Sequence, residues 1–327
     1  MEAYVLAGFD RPTEFSTVPD PVPGPGEVLV RVQASSVNPV DLMVRQGFFR
    51  AVQEYRFPAV FGRDLAGEVE TIGPGVTRYA PGDRVFGFVK RDYIGDGTFG
   101  ERVCVPEAQF IARVPPSISM ATAGVLGLSG VTALECVVAA AAGPARIILI
   151  NGAAGGVGSF AVQLARAFGA RVISTARSGV AAEHLKRLGA EWILTSAGDD
   201  LAGRVRAVAP GGVDGFIDLV KHVDSAVMGV GEDEAHVRFA RLCQGVLRAG
   251  GPAVSVTNGG VSELMDSIPF HNLHSTPTPE SLDRLAELVA NGRVRAPIDR
   301  TFGFEELPAA FERLRAGGVC GKISIVF

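Results

Sequence analysis

Between residues 147 and 178 the chain reads IILINGAAGGVGSFAVQLARAFGARVISTARS, and few segments restrict a fold so tightly. Ile147–Ile150 is continuously apolar and rich in β-branching, as a strand buried on both faces of a parallel sheet must be. Gly152, Gly155, Gly156 and Gly158 follow at once. A stretch with helical periodicity, Phe160–Phe168, comes next, and Arg171–Thr175 reads as a second strand. A strand that runs through a glycine turn into a helix leaves backbone N–H groups and the positive helix end at one point. A pyrophosphate settles there without any charged side chain. Gly155 lets the backbone approach the phosphates, and Gly158 lets the helix lie close to the sheet. Ala153 replaces the first glycine of the GxGxxG pattern, so the motif rests on its strand–turn–helix context. A plain strand–helix turn with no ligand is the competing reading.

The end of the second strand is where a dinucleotide site chooses its nicotinamide. An acidic residue about 20 positions after the glycines holds the ribose 2′-hydroxyl and favours NAD. Here Arg177 occupies that place, followed by Ser178 and Gly179, with no acid before Glu183. A carboxylate repels a 2′-phosphate, whereas a guanidinium binds it through paired N–H groups. The expected cofactor is NADPH; the alternative is a solvated loop arginine.

The rest of the chain sets bounds. Its 327 residues allow two domains, and 47% apolar with 20% charged residues is the balance of a globular protein with a large core. A net charge of −4 and no long basic run argue against nucleic acid or an anionic membrane as general partner. The four cysteines, Cys104, Cys136, Cys243 and Cys320, form no CxxC pair, which suits a reducing, cytoplasmic setting and offers no cysteine zinc lobe. MEAYVLAGFD lacks the pattern of a signal peptide. The nearly uncharged run Ala121–Gly143 is long enough to raise a membrane span, but it contains Glu135 and lacks flanking anchors, so a buried helix is expected.

Residues 1–118 read as β-rich, with runs such as Glu27–Val32 and Gly67–Thr71 cut by Pro-Gly turns. From 119 to 276 strands and helices alternate as in a helix-flanked parallel sheet, with Gly215–Val220 and Ala253–Val256 as further strands and Val237–Arg248 as a helix. Residues 277–327 carry helices at Pro279–Gly292 and Glu305–Ala316 and a closing strand, Lys322–Phe327. The segment Asp224–Glu234 reads as a surface loop or short amphipathic helix.

Several separated blocks resemble one family: SSVNPVDLMVRQG at 35–47, PAVFGRDLAGEVETIGPGV at 58–76, PGDRVFGF at 81–88, GTFGERVCVP at 97–106 and LSGVTAL at 128–134, besides the glycine segment and the C-terminal GKISIVF. In this order and spacing the chain resembles the quinone oxidoreductases of the medium-chain dehydrogenase/reductase superfamily, the group that includes zeta-crystallin. The resemblance implies an α/β chain in which a Rossmann doubly wound parallel sheet is inserted in a GroES-like, partly open β-barrel catalytic domain. It also implies an active-site cleft between the two domains and a homodimer formed through the Rossmann sheets, with the strand near Phe270–Ser275 as its edge.

Zinc-dependent relatives place a cysteine where this chain has Asn38, and Gly-His-Glu where it has Gly62-Arg63-Asp64. Asparagine and arginine are not usual zinc ligands, and no histidine falls at the matching positions, so no metal is expected. Without zinc little lowers the pKa of an alcohol, whereas a quinone or a C=C bond conjugated to a carbonyl accepts hydride directly. By the family pattern Asn38 and Asp41 lie beside the nicotinamide, Tyr55 lines the substrate pocket, and Arg63 offers charge to a developing oxyanion. The alternatives are a helix cap for Asp41, wall packing for Tyr55, and an ion pair with Asp64 or Asp41 for Arg63. Cofactor contacts are expected from Thr132, Ala153, Gly155, Gly156, Val157, Gly158, Arg177, Ser178 and Lys322.

The chain also departs from the pattern. Thr195 and Ser196 stand where relatives carry a tyrosine, Ala181 and Ala182 where they carry a lysine, and Asp218-Leu-Val-Lys221 replaces Asp-x-x-Gly-Gly. The expected activity is NADPH-dependent, zinc-independent quinone reduction. The alternatives are a 2-alkenal, enone or enoyl-thioester reductase and a non-catalytic NADPH-binding protein.

Overall fold

The computed structural model describes residues 1–327 except 109, 197, 199, 221–231 and 258–264. Packing divides the chain into two compact units: Met1–Val131, Thr276–Gly292 and Ala296–Phe327 form one, Thr132–Ser275 and Arg293–Arg295 the other. The boundary falls inside the helix Gly127–Ala139, beyond the compositional change near residue 118.

The first unit is built on a sheet in the order Ile111–Arg113, Arg84–Phe88, Asp64–Ile72, Glu27–Val37, Lys322–Val326, Ile298–Gly303, with Arg102–Pro106 also paired to Glu27–Val37. Val28, Val30, Val32, Val69, Val85, Val103 and Val105 form one buried cluster, the β-branched filling that a pleated surface favours. Tyr4, Phe61, Phe99 and Phe311 centre a second, aromatic cluster that also takes in the helix Leu307–Arg315. Two strand registers gather polar residues at one place. The closing strand runs antiparallel to Glu27–Val37 with Ile323 opposite Val37, which carries Lys322 to the level of Asn38. Ala34 pairs with Ala66, so Asp64 enters its strand beside Ser36.

The second unit holds a parallel sheet ordered Trp192–Thr195, Arg171–Ala176, Ile147–Asn151, Gly215–Asp218, Ala253–Ser255, Phe270–Asn272. This is the doubly wound order, and it reverses direction at Ile147–Asn151, where the glycine turn begins. The strand is buried as its apolar run demands, and Leu149, Ile173, Phe216, Phe239 and Val246 belong to the core beneath it.

The α/β architecture is the one the residues indicated, but some bounds differ. The helix after the turn starts at Gly156 and ends at Ala167. Two of its residues are glycines, whose poor helix propensity hides the start from periodicity. The helix expected at Val237–Arg248 spans Glu232–Val246, and the part of the acidic segment before residue 232 lies outside the described residues. The helix at Glu305 is a 3₁₀ turn, Phe304–Glu306, followed by Leu307–Arg315. The uncharged run at 121–143 contains the helix Gly127–Ala139, and among the described residues no helix is long and apolar enough to cross a membrane.

Candidate functional site

In the second unit, the glycine turn is held from beneath by the ends of three adjacent strands. Thr175 Oγ1 donates to Asn151 Oδ1 at 2.8 Å, Asn151 Nδ2 donates to Asp218 Oδ1 at 3.0 Å, and Gly152 N–H donates to Thr175 Oγ1 at 3.1 Å. Gly152 has φ +77°, a conformation that side chains rarely adopt. Gly158 is required for another reason. A Cβ there would lie 2.5 Å from Gly152 O and 2.6 Å from Ala153 Cα, so any other residue would push the helix off the turn.

Gly155 is the N-cap of the helix Gly156–Ala167 and has no side chain with which to cap it. The N–H groups of Gly156, Val157 and Gly158 therefore have no acceptor within the helix. Gly155, Gly156 and Val157 are partly exposed, whereas Ala153 and Gly158 are buried. Open N–H groups at a positive helix end fit the pyrophosphate of a nicotinamide dinucleotide.

Arg177 lies exposed after the strand Arg171–Ala176, and Ser178 caps the helix Gly179–Leu188 by accepting from Ala181 N–H at 3.2 Å. Among the described residues no ion pair engages Arg177. Thr132 is buried in the helix Gly127–Ala139.

In the first unit, Asn38, Asp64 and Lys322 meet in one buried cluster. Lys322 Nζ donates to Asn38 Oδ1 and, at 3.2 Å, to Asp64 Oδ2. Asp64 Oδ2 also accepts from Ser36 Oγ and from Asn38 Nδ2 at 2.9 Å, while Leu128 N–H reaches Asp64 Oδ1 at 2.6 Å. Lys322 is 3% exposed and Asp64 fully buried. The amide of Asn38 is thus engaged by Lys322, Asp64 and the Ser36 carbonyl. Lys322, expected among the cofactor contacts, lies in the first unit with its ammonium on Asn38 and Asp64.

Asp41 is the third residue of the short helix Pro39–Arg45, whose N-cap is Asn38, and is fully buried. Its Oδ2 accepts from Asn38 N–H at 2.8 Å, which is the capping role, but its Oδ1 has no partner. Burial pushes the carboxyl up to about 7, against the pull of the Asn38 N–H, Arg63 and Lys322 and with the repulsion of Asp64. Arg63 Nε is likewise buried and without a partner. Among the described residues Arg63 forms no ion pair, and Asp64 is paired with Lys322. A pocket within this unit is lined by Asp41, Phe61, Arg63, Arg91, Tyr93 and Asp96 among others. Tyr55 sits between Phe9 and Phe57, with ring centroids at 4.8 and 5.9 Å, and its hydroxyl donates to the Val44 carbonyl at 3.1 Å. Burial raises its phenol.

The place of the family's zinc does not fit a zinc ion. An amide, a guanidinium and a carboxylate stand there, and that carboxylate already accepts four donors, one of them an ammonium. No group of three or more His, Cys, Asp or Glu side chains suited to a metal occurs among the described residues.

The tie Thr175–Asn151–Asp218 and the pair Ser159–His184 escaped the reading of the sequence. Single polar residues in apolar runs carry no motif, and only the parallel pairing of their strands brings the first three together.

Two family models match the chain: Alcohol dehydrogenase GroES-like domain over residues 24–116 and Zinc-binding dehydrogenase over residues 188–325. A 2-methylene-furan-3-one reductase of Solanum lycopersicum is 31% identical, covering 91% of this chain and 71% of the relative. A chloroplast envelope quinone oxidoreductase homolog of Arabidopsis thaliana is 29% identical over 95% of this chain and 93% of its own. Among solved structures, the quinone oxidoreductase from Coxiella burnetii superposes with a TM-score of 0.82 at 27% identity, over 100% of this chain and 99% of that one.

Proposed function

The chain belongs to the quinone oxidoreductase group of the medium-chain dehydrogenase/reductase superfamily, and from that premise we propose that it reduces quinones with NADPH and without zinc. It is an oxidoreductase that uses a nicotinamide cofactor. The observation that carries the finer reading is the Lys322 ammonium buried between Asn38 and Asp64, where a metal-dependent relative keeps its ligands. A fixed internal cation leaves no place for a Lewis acid that activates an alcohol, so the acceptor must be electrophilic on its own.

Bound NADPH supplies the hydride. The N–H groups of Gly156, Val157 and Gly158 hold the pyrophosphate, and Arg177 and Ser178 hold the 2′-phosphate. In the catalytic unit Arg63 provides positive charge for the acceptor oxygen as the electron pair arrives there. Asp41 and Lys322 set the field around Arg63, and Tyr55 contributes an aromatic wall. A homodimer through the exposed edge strand Phe270–Asn272 belongs to the same reading, and sedimentation of the purified chain tests it.

A second reading has one observation in its favour. The Solanum relative is named for a 2-methylene-furan-3-one, a C=C bond conjugated to a ketone. Following NADPH oxidation with a panel of quinones, 2-alkenals and enones separates the two. Quinone turnover far above that of the alkenes supports the first reading and the reverse supports the second. Tight NADPH binding with no turnover of any acceptor leaves a non-catalytic binding protein.

The cofactor choice has its own test. Arg177→Asp is expected to raise the KM for NADPH by about 10- to 100-fold, the loss of a charge-assisted contact, and to change that for NADH less than about 3-fold. Equal effects on the two cofactors would refute the assignment.

A further inference from the structure

The hydroxyl of Ser159, near the start of the helix Gly156–Ala167, is completely buried and has three polar neighbours: Ala154 O at 3.1 Å, Ala153 O at 3.5 Å and His184 Nε2 at 2.8 Å. A serine hydroxyl carries one proton. If that proton pointed at His184, the oxygen would face two carbonyl oxygens with lone pairs alone, out of reach of water. The arrangement is satisfied only when Ser159 donates to a carbonyl, with Ala154 O the nearer, and His184 Nε2–H donates to Ser159 Oγ. The donor chain therefore runs from His184 through Ser159 to the Ala154 carbonyl, and it fixes the protonated ring nitrogen of His184 as Nε2.

The two ends of this chain lie at two ends of the nucleotide site. His184 is 8% exposed and sits on the helix Gly179–Leu188, which begins at the cap Ser178 next to Arg177. Ala154 is in the glycine turn, one residue before the helix cap Gly155. The turn binds an anion only while its N–H groups, and not its carbonyls, face the ligand. A carbonyl released from Ser159 is free to rotate outward, and its oxygen would then oppose the phosphates.

We propose that His184 and Ser159 are positioning residues for the nicotinamide cofactor: they draw the Ala154 carbonyl inward and tie the helix that starts at the 2′-phosphate-reading residues to the turn that receives the pyrophosphate. The proposal rests on the assignment of a nicotinamide cofactor to this turn. Neither residue touches the reacting atoms, so the effect falls on cofactor affinity and leaves the chemical step intact.

The experiment is titration of the purified full chain with NADPH, followed by nicotinamide fluorescence, together with steady-state kinetics. Wild type, Ser159→Ala, His184→Leu, the double variant and His184→Gln are compared. Each single variant is expected to bind NADPH about 10-fold more weakly, the value of one buried hydrogen bond. The double variant should be no weaker than either single, because all three break the same chain. His184→Gln, which keeps an N–H donor at the end of a side chain of similar reach, should recover most of the affinity. At saturating NADPH kcat should stay within about 2-fold of wild type.

A merely structural histidine would lower the unfolding midpoint without this split between KM and kcat and without rescue by glutamine. Unchanged affinity in Ser159→Ala, additive losses in the double variant, failure of His184→Gln to recover, or a fall in kcat with KM unchanged would each overturn the proposal. Ser159→Ala removes a single oxygen atom, so it carries the comparison even if His184→Leu does not fold. Failure of the wild type to bind either NADPH or NADH is a different result and removes the underlying reading instead.

Discussion

Lys322→Met is expected to destabilise the protein by about 3–5 kcal/mol, the cost of leaving a buried carboxylate without its counter-ion. Asp64 is fully buried and Lys322 is 3% exposed, so water replaces neither partner. With the ammonium gone, Asp64 keeps Ser36, Asn38 and Leu128 N–H as donors, but those dipoles do not neutralise its charge. Asn38 also loses the partner of its carbonyl oxygen. Removing the charge at both ends separates this account from simple packing. Lys322→Met combined with Asp64→Asn should recover at least half of the loss, because no unpaired charge remains. The measurement is denaturant unfolding of the three variants against wild type. A single variant within about 1 kcal/mol of wild type would show that the pair is not what holds this cluster.

This cluster also marks the reach of local sequence patterns. The strand, glycine turn and helix of the second unit were legible because their parts are local. Ile147–Asn151, the glycines and the following helix are contiguous, and each glycine acts within a few residues of itself. Lys322 is another matter. Its partners Asn38 and Asp64 lie more than 250 residues away, and what joins them is the register of Lys322–Val326 against Glu27–Val37. Periodicity says that such a strand exists and which face is apolar, but not which strand it joins. The strand pairing, which no local pattern contains, is what brings the lysine to Asn38.

His184 follows the same logic. On its helix it is one polar residue among GVAAEHLKRL, and only the packing of that helix against the one after the turn brings Nε2 to Ser159. Asp41 was legible in part. It was expected as a helix cap; the cap is Asn38, and Asp41 at N3 reaches back to the Asn38 N–H. The orphaned second oxygen is a property of the surrounding burial, which no local pattern contains.

That orphaned oxygen gives the other large effect, in the dependence of stability on pH. In the unfolded chain Asp41 titrates near the ordinary value of about 3.9. In the folded chain burial pushes it up to about 7, with Asp64 adding to the rise and the Asn38 N–H, Arg63 and Lys322 opposing it. The folded state therefore holds this proton more tightly than the unfolded state does. Below about pH 4 both states are protonated and Asp41 costs nothing. From there to about pH 7 the unfolded chain gives up the proton while the folded chain keeps it, so stability falls as pH rises. Above that the loss is complete, and its upper bound is roughly 4 kcal/mol.

Asp41→Asn keeps an oxygen for the Asn38 N–H but never ionises. The stability of the variant relative to wild type should be lowest at about pH 3 and below, where the wild-type carboxyl is largely protonated in both states. It should then climb as the pH rises, and by about pH 8 the gain should approach that bound. Other carboxylates titrate in the same range, so the quantity to follow is the difference between the two proteins in denaturant unfolding at each pH, which cancels their shared contribution. A difference that stays flat across this range would mean that Asp41 is ionised throughout, paired in the folded protein by Arg63 or Lys322. The same two proteins separate a further role. On the proposed reading, in which Asp41 sets the field around Arg63, turnover of the acceptor by the wild type should fall through about pH 7, and that of Asp41→Asn should not.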